Sequence, residues 1–167
     1  MKIRFAKNDD LKSIIDIYNQ AINSGNVTAD LKELSVDDRK GWYAEHNENE
    51  YPIYILEIDG KLIGWGSLSP YRKGREGLRK TAEISYYIDY NYHGLGYGKK
   101  LIDFMINDCK RIGINNLFAI LLEINQTSIK LLKRFGFSKW GFMPNVVNLN
   151  GKICGQLIYG KNLNIND

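Results

Sequence analysis

A chain of 167 residues, 44% hydrophobic and 25% charged, fits one globular domain able to bury a substantial core. Its formal charge of +4 is spread along the chain, with no arginine-rich block or basic helix face. That distribution argues against a nucleic-acid binder and leaves mild steering toward an anionic small molecule.

Two distant cysteines, Cys109 and Cys154, with no CxxC pair and no clustered histidine, give neither a disulfide scaffold nor a metal site. Met1 to Ala6 is too short and too polar for a signal peptide, and no apolar run reaches membrane-spanning length. A soluble cytoplasmic protein with buried, reduced thiols is expected.

Lys2 to Phe5 reads as a first strand. Asn8-Asp9-Asp10 can cap a helix whose apolar face is Leu11, Ile14, Ile15, Tyr18 and Ile22, and Gly25 ends it. After the polar loop Asn26-Val27-Thr28-Ala29-Asp30, Ser35-Val36-Asp37-Asp38 opens a second helix that runs through Trp42 and Tyr43 toward His46. The period then changes: Ile53 to Ile58, the turn Asp59-Gly60, and Leu62 to Leu68 predict a β-hairpin. Pro70 to Arg79 is a basic, glycine-bearing loop, and Ala82 to Ile88 is a strand that runs into a glycine-rich turn.

Beyond that turn Leu101, Ile102, Met105, Ile106 and Cys109 recur at helical spacing until Gly113, and Leu117 to Leu122 is a short apolar strand, expected to be parallel to its predecessor. Asn125-Gln126-Thr127-Ser128 starts a last helix that Phe135-Gly136-Phe137 stops. Trp140 to Val147 and Ile153 to Tyr159, joined around Asn150-Gly151, predict a closing hairpin. The order is mixed α and β, with antiparallel hairpins at both ends and one parallel crossover between them.

The turn His93-Gly94-Leu95-Gly96-Tyr97-Gly98 carries the most information. Glycine reaches backbone angles closed to other residues and lets a ligand approach the main chain. The helix that begins there leaves its first N–H groups without intrahelical acceptors, and its dipole adds positive charge, so a pyrophosphate fits both. Glycines at a strand–helix junction also serve as plain turn punctuation, so the second motif matters.

Together with Asn125-Gln126-Thr127-Ser128-Ile129-Lys130-Leu131-Leu132-Lys133-Arg134-Phe135-Gly136-Phe137, the turn resembles the GCN5-related N-acetyltransferase (GNAT) superfamily over nearly the whole chain. Asn26 to Asp30, Trp42 and Ala82 to Ile88 resemble its phosphinothricin and methionine sulfoximine branch.

The resemblance implies an α+β fold: a single domain over residues 1–167 with a mixed, mostly antiparallel twisted sheet of about seven strands and about four flanking helices, splayed between strands 4 and 5. It implies acetyl-CoA as co-substrate, a small-molecule amine as acceptor, no metal, and a homodimer seamed on the apolar C-terminal hairpin. A protein N-terminus or a polyamine as acceptor, or a non-catalytic acyl-CoA sensor, are the alternatives.

By the same resemblance, main-chain groups of Tyr86, Tyr87 and Ile88 would hold the pantetheine arm, and His93, Gly94, Leu95, Gly96, Tyr97, Gly98 and Lys99 the pyrophosphate. His93 stands where the family places arginine or glutamine. Asn125 would lie near the pantetheine, although it also suits a helix cap. Glu83 matches the carboxylate that takes the ammonium proton, either through a raised pKa or while paired with a cation such as Arg72 or Arg79. Tyr71 and Arg72 would bind the acceptor, Arg72 gripping a carboxylate in bidentate fashion. Leu132 occupies the position of the family's tyrosine or histidine proton donor and cannot donate, which leaves Tyr87, Tyr92 or solvent to meet the leaving thiolate.

Overall fold

The structure is a computed structural model and describes residues 1–163. Strand β1 (Lys2–Phe5) leads through a 3-10 turn, Asn8–Asp10, into helix α1 (Leu11–Ser24). Asp10 fixes that entry: its carboxylate accepts from Lys7 N at 2.7 Å and pairs with Arg4 at 2.6 Å. Gly25 ends the helix in the left-handed region at φ 67°. Helix α2 (Val36–Ala44) opens on a reciprocal cap, Ser35 N donating to Asp38 Oδ2 at 2.8 Å and Asp38 N to Ser35 Oγ at 3.3 Å.

Strands β2 (Ile53–Ile58) and β3 (Lys61–Pro70) form the expected hairpin, with positive φ at both Asp59 and Gly60. β4 (Thr81–Ile88) follows, then α3 (Tyr97–Asp108), β5 (Asn116–Leu122), α4 (Gln126–Arg134), β6 (Ser138–Leu149) and β7 (Lys152–Asn162). The departures from the sequence reading that bear on the site lie on either side of the glycine turn. A 3-10 turn, Tyr90–Tyr92, stands between β4 and the glycines, organised by Asp89, whose carboxylate accepts from Asn91 N. Helix α3 ends at Asp108, short of Gly113, because residues 109–113 close on themselves in turns: Arg111 N bonds Asp108 O and Ile114 N bonds Cys109 O.

The seven strands lie in the order β1-β2-β3-β4-β5-β7-β6, all neighbours antiparallel except β4 and β5. One face of the sheet buries Leu68, Ala82 and Ile84 against Leu101, Ile102 and Met105 of α3 and Ile129 and Leu132 of α4. The other buries Ile53, Ile55 and Trp65 against Ile14, Ile17, Tyr18 and Ile22 of α1. Both cysteines are buried free thiols, and burial pushes Cys109 up to about 12.

The parallel pair is short. Only Thr81, Ala82 and Glu83 pair with Asn116, Leu117 and Phe118. Beyond them β4 stays bonded to β3 as far as Ile88, and β5 to β7 as far as Leu122. The two strands therefore diverge while each remains anchored on its far edge, which is the expected splay between strands 4 and 5.

Candidate active site

A strand turns successive side chains to opposite faces, so β4 sends Glu83, Ser85 and Tyr87 one way and Ala82, Ile84 and Tyr86 the other. Cross-strand register sets Ser69 opposite Glu83, Ser67 opposite Ser85 and Trp65 opposite Tyr87. These six side chains floor a cavity of about 450 Å³ at the mouth of the splay. Its walls are Ile120, Leu121 and Leu122 of β5, Gln156 of β7, Tyr18 of α1, Val27, Thr28 and Ala29 of the α1–α2 loop, and Arg39 and Trp42 of α2.

Glu83 has no ion-pair partner among the described residues, and burial holds its pKa above the usual carboxylate range. Of the two sequence-based options for this residue, the structure shows the shifted carboxylate and not the paired one. Tyr87 beside it is partly buried, and burial keeps its phenol protonated well above the usual range.

The unpaired edge of β4 has a definite polarity. Asp89 N donates to Ile63 O of β3 at 2.8 Å, so by alternation the main-chain groups of Tyr87 and Ser85 point to β3 and those of Tyr86 and Ile88 point into the gap. Tyr87 thus meets the cavity with its ring, not its backbone. Ile88 O is already engaged, 2.8 Å from His93 Nε2. The imidazole therefore folds back on β4 and fastens the turn.

Past His93, Gly94 and Gly96 take φ values of 77° and 80°, which favours glycine at both. Leu95 projects outward, 61% exposed. Lys100 N is the first amide of α3 to reach back, to Gly96 O at 3.2 Å, so the mouth of the helix offers free donors. A Cβ on Gly98 would lie 3.5 Å from Leu131 Cδ2 and 3.8 Å from Ile88 Cγ1, so α3, α4 and the end of β4 converge there. Tyr97 stacks edge-on with Tyr92, Lys100 Nζ lies over Tyr97, and Lys99 is solvent-exposed.

Asn125 is buried and caps α4, its Oδ1 accepting from Ser128 N at 3.2 Å. Leu132 is fully buried in the core. The Tyr86 hydroxyl is enclosed; Ser128 restrains its pKa, raised by burial to about 12, but the two groups miss hydrogen-bond geometry. Tyr71 and Arg72 lie outside the cavity: Tyr71 packs edge-on against Phe118, and the Arg72 guanidinium stacks over Tyr71 in solvent. The arginine brought to the cavity is Arg39, which the sequence reading did not single out. Tyr43 lines a second, smaller cavity with Phe5, His46 and Ile53, whereas Trp42 belongs both to the first cavity and to the aromatic core.

Residues 3–157 match the acetyltransferase (GNAT) domain family. The chain belongs to the GNAT family. It is accordingly an N-acetyltransferase. It is 35% identical, over 98% of its length and 99% of the relative's, to the Bacillus subtilis (strain 168) protein named "Putative phosphinothricin acetyltransferase YwnH". The L-methionine sulfoximine/L-methionine sulfone acetyltransferase of Salmonella typhimurium is 32% identical over 87% of this chain and 85% of the relative. Among solved structures, the GNAT phosphinothricin acetyltransferase of Sinorhizobium meliloti in complex with acetyl-CoA superposes with a TM-score of 0.88 at 25% identity, covering 96% of this chain and 87% of that one.

Behind the floor of this GNAT site, His46 bridges Trp42 O, 2.7 Å from Nδ1, and Ser69 Oγ, 3.0 Å from Nε2. The carbonyl only accepts, so Nδ1 carries the proton and Nε2 takes the Ser69 hydroxyl hydrogen when the ring is neutral. Burial lowers the His46 pKa, with Glu45 opposing and Lys73 reinforcing the shift. The unfolded chain therefore binds a proton here at a pH where the folded one does not, and stability declines as pH falls below about 6.5. Thermal melts between pH 7.5 and 5.5, on the order of that titration range, should show this decline, with a shallower slope in His46→Gln.

Proposed function

We propose that this protein is an acetyl-CoA-dependent N-acetyltransferase acting on the primary amine of a small amino-acid-like substrate, of the phosphinothricin and methionine sulfoximine type. The observation that carries the reading is a lone, partly buried carboxylate, Glu83, in a cavity that opens on the gap between β4 and β5. The residues present fit acetyl-CoA: the gap-facing main-chain N–H and C=O of Tyr86 suit a pantetheine amide, and the glycine turn from Gly94 to Gly98 suits the pyrophosphate. Acetyl-CoA supplies an acetyl group activated as a thioester.

Glu83 takes one proton from the acceptor's ammonium, and the amine lone pair that this frees attacks the thioester carbonyl in a ternary complex. A gap-facing N–H at Ile88 sits on the edge where the carbonyl oxygen gains charge. Leu132 offers the departing sulfur no proton, Tyr92 stacks on Tyr97 outside the cavity, and burial keeps the Tyr87 phenol a weak acid, so solvent carries the second proton shed by the nitrogen to the thiolate. A polyamine would call for several carboxylates; among the described lining residues Glu83 is the only one.

Incubating the purified protein with acetyl-CoA and pooled amino acids and analogues should release thiol for a narrow set of amines. No release from any primary amine would refute the reading.

The free thiols suit a reducing compartment, the cytoplasm. A homodimer completes the proposal. Edge strand β6 exposes Trp140, Phe142, Met143 and Val146 beside Ile153 of β7, an apolar stripe that a second copy would cover. Light scattering should give twice the 19.2 kDa chain mass, and Trp140→Glu should return the monomer.

A further inference from the structure

The cavity is bipolar. Among the described residues that line it, Glu83 is the only acid and Arg39 the only base. They come from different layers, Glu83 from the sheet and Arg39 from α2.

Arg39 is fixed in place yet poorly satisfied. Its guanidinium carbon lies 4.9 Å from the Tyr18 ring centroid and 5.4 Å from that of Trp42, so two aromatic faces set its position. Among the described residues its only polar partner is Asp30, at 3.6 Å, beyond the 2.7–2.9 Å typical of a charge-assisted hydrogen bond. Asp30 is itself drawn away by the Tyr18 hydroxyl, which donates to it at 2.5 Å. A planar fork of five N–H donors therefore stands at a cavity wall with none of them in a hydrogen bond among the described residues.

A second idle donor lies alongside. Trp65 is 5% exposed and lines the same cavity, and its Nε1–H has no acceptor among the described residues. Trp65 packs edge-on against Trp42, the ring beneath Arg39. The wall thus holds an unanswered guanidinium, and the floor an unanswered indole N–H and an unanswered carboxylate. A zwitterion satisfies both at once, whereas a simple amine leaves the donors unmet.

We infer that Arg39 is the specificity-determining residue for the acceptor: it grips a free α-carboxylate while Glu83 receives the ammonium, so the enzyme selects α-amino acids with an unblocked carboxyl group. The inference rests on the acetyltransferase reading above. Arg72, stacked over Tyr71 outside the cavity, has no part in it.

The test compares the best amino acid found in the pool with its α-carboxamide, which keeps the amine and removes the negative charge. Wild type should favour the acid. Arg39→Gln should lower kcat/KM for the acid by about 10- to 100-fold, mostly through KM, and change the carboxamide less than about threefold. Arg39→Lys keeps the cation but not the fork and should fall between; it is the second variant if the glutamine protein fails to fold. Arg72→Gln should keep the full preference for the acid. Equal losses on acid and carboxamide in the Arg39 variants, or a preference erased by Arg72→Gln, overturns the assignment.

A second readout needs no turnover. Trp42 and Trp65 line the cavity, so titrating the amino acid without acetyl-CoA should quench tryptophan fluorescence in wild type but not in Arg39→Gln. Quenching that depends on Arg39, in a protein that transfers to no amine, would sustain the carboxylate site and refute the transferase reading. Transfer with an unchanged acid preference in both Arg39 variants would do the reverse.

Discussion

Glu83→Gln is expected to lower kcat by about 10²- to 10⁴-fold while acetyl-CoA affinity stays unchanged. The substitution keeps the shape of the side chain and removes only its capacity to accept a proton. Amides accept no proton near neutral pH, and an ammonium has no lone pair with which to attack. Glu83 faces the cavity, on the side of β4 away from α3, so glycine-turn contacts with the nucleotide end should survive, and calorimetric titration with acetyl-CoA should show it.

The pH dependence adds an independent check. Burial alone raises the Glu83 pKa, with no cation opposing it. In the proposed mechanism the active form is the carboxylate, so kcat/KM should climb as pH rises through that raised pKa and then level. This acidic limb should stand above the ordinary glutamate value of about 4.3 and vanish in the glutamine variant. A sensor that binds acyl-CoA without transferring it would give equal, negligible thiol release in both proteins.

Much of this site is periodic in the chain and therefore readable from it. The alternation Glu83, Ser85, Tyr87 already places three cavity residues on one face, and Asp59-Gly60 and Asn150-Gly151 fix both hairpins by their need for positive φ. The parallel β4–β5 pair follows from a helix lying between two apolar strands.

The entry of β7 between β5 and β6 is less accessible, because strand order depends on which edges are free and a hairpin fits either way round. Arg39 escapes for a different reason. On α2, whose nine residues have no buried member and little apolar pattern, nothing in the spacing says which side chain turns inward. Its direction comes from the rings of Tyr18 and Trp42, one of them 21 positions away in the chain, the difference between 39 and 18. Arg72 has the right chemistry at a plausible position, but its loop packs Tyr71 on Phe118 and leaves the arginine outside. For His93 the chain shows a departure from the family pattern without its consequence, a ring folded back on Ile88 O.

Gly66→Val should damage the fold severely, destabilising the protein by about 3 kcal/mol and lowering its Tm by about 6–12 °C. An ideal Cβ at Gly66 would lie 2.5 Å from Met105 Sδ and 2.9 Å from Ser85 O. The first contact belongs to a fully buried side chain with no solvent to retreat into, and the second to the backbone of β4. Relief requires α3 to lift from the sheet or β4 to move off β3, and both elements border the gap proposed to hold acetyl-CoA. Acetyl-CoA affinity should therefore fall along with the melting temperature. Adding Met105→Ala to Gly66→Ala should recover only part of the loss, since it removes the sulfur contact and leaves Ser85 O in place.

Gly41→Ala makes the contrasting case within α2: nothing lies within 4 Å of its added Cβ, and its backbone is helical. Calorimetric melts should find that protein stabilised by about 0.5–1 kcal/mol, as expected for glycine replaced in a helix interior. Opposite signs at two glycines would tie the effect to what the methyl group meets, and a mild Gly66 phenotype would mean that β3 and α3 pack less closely than these contacts require.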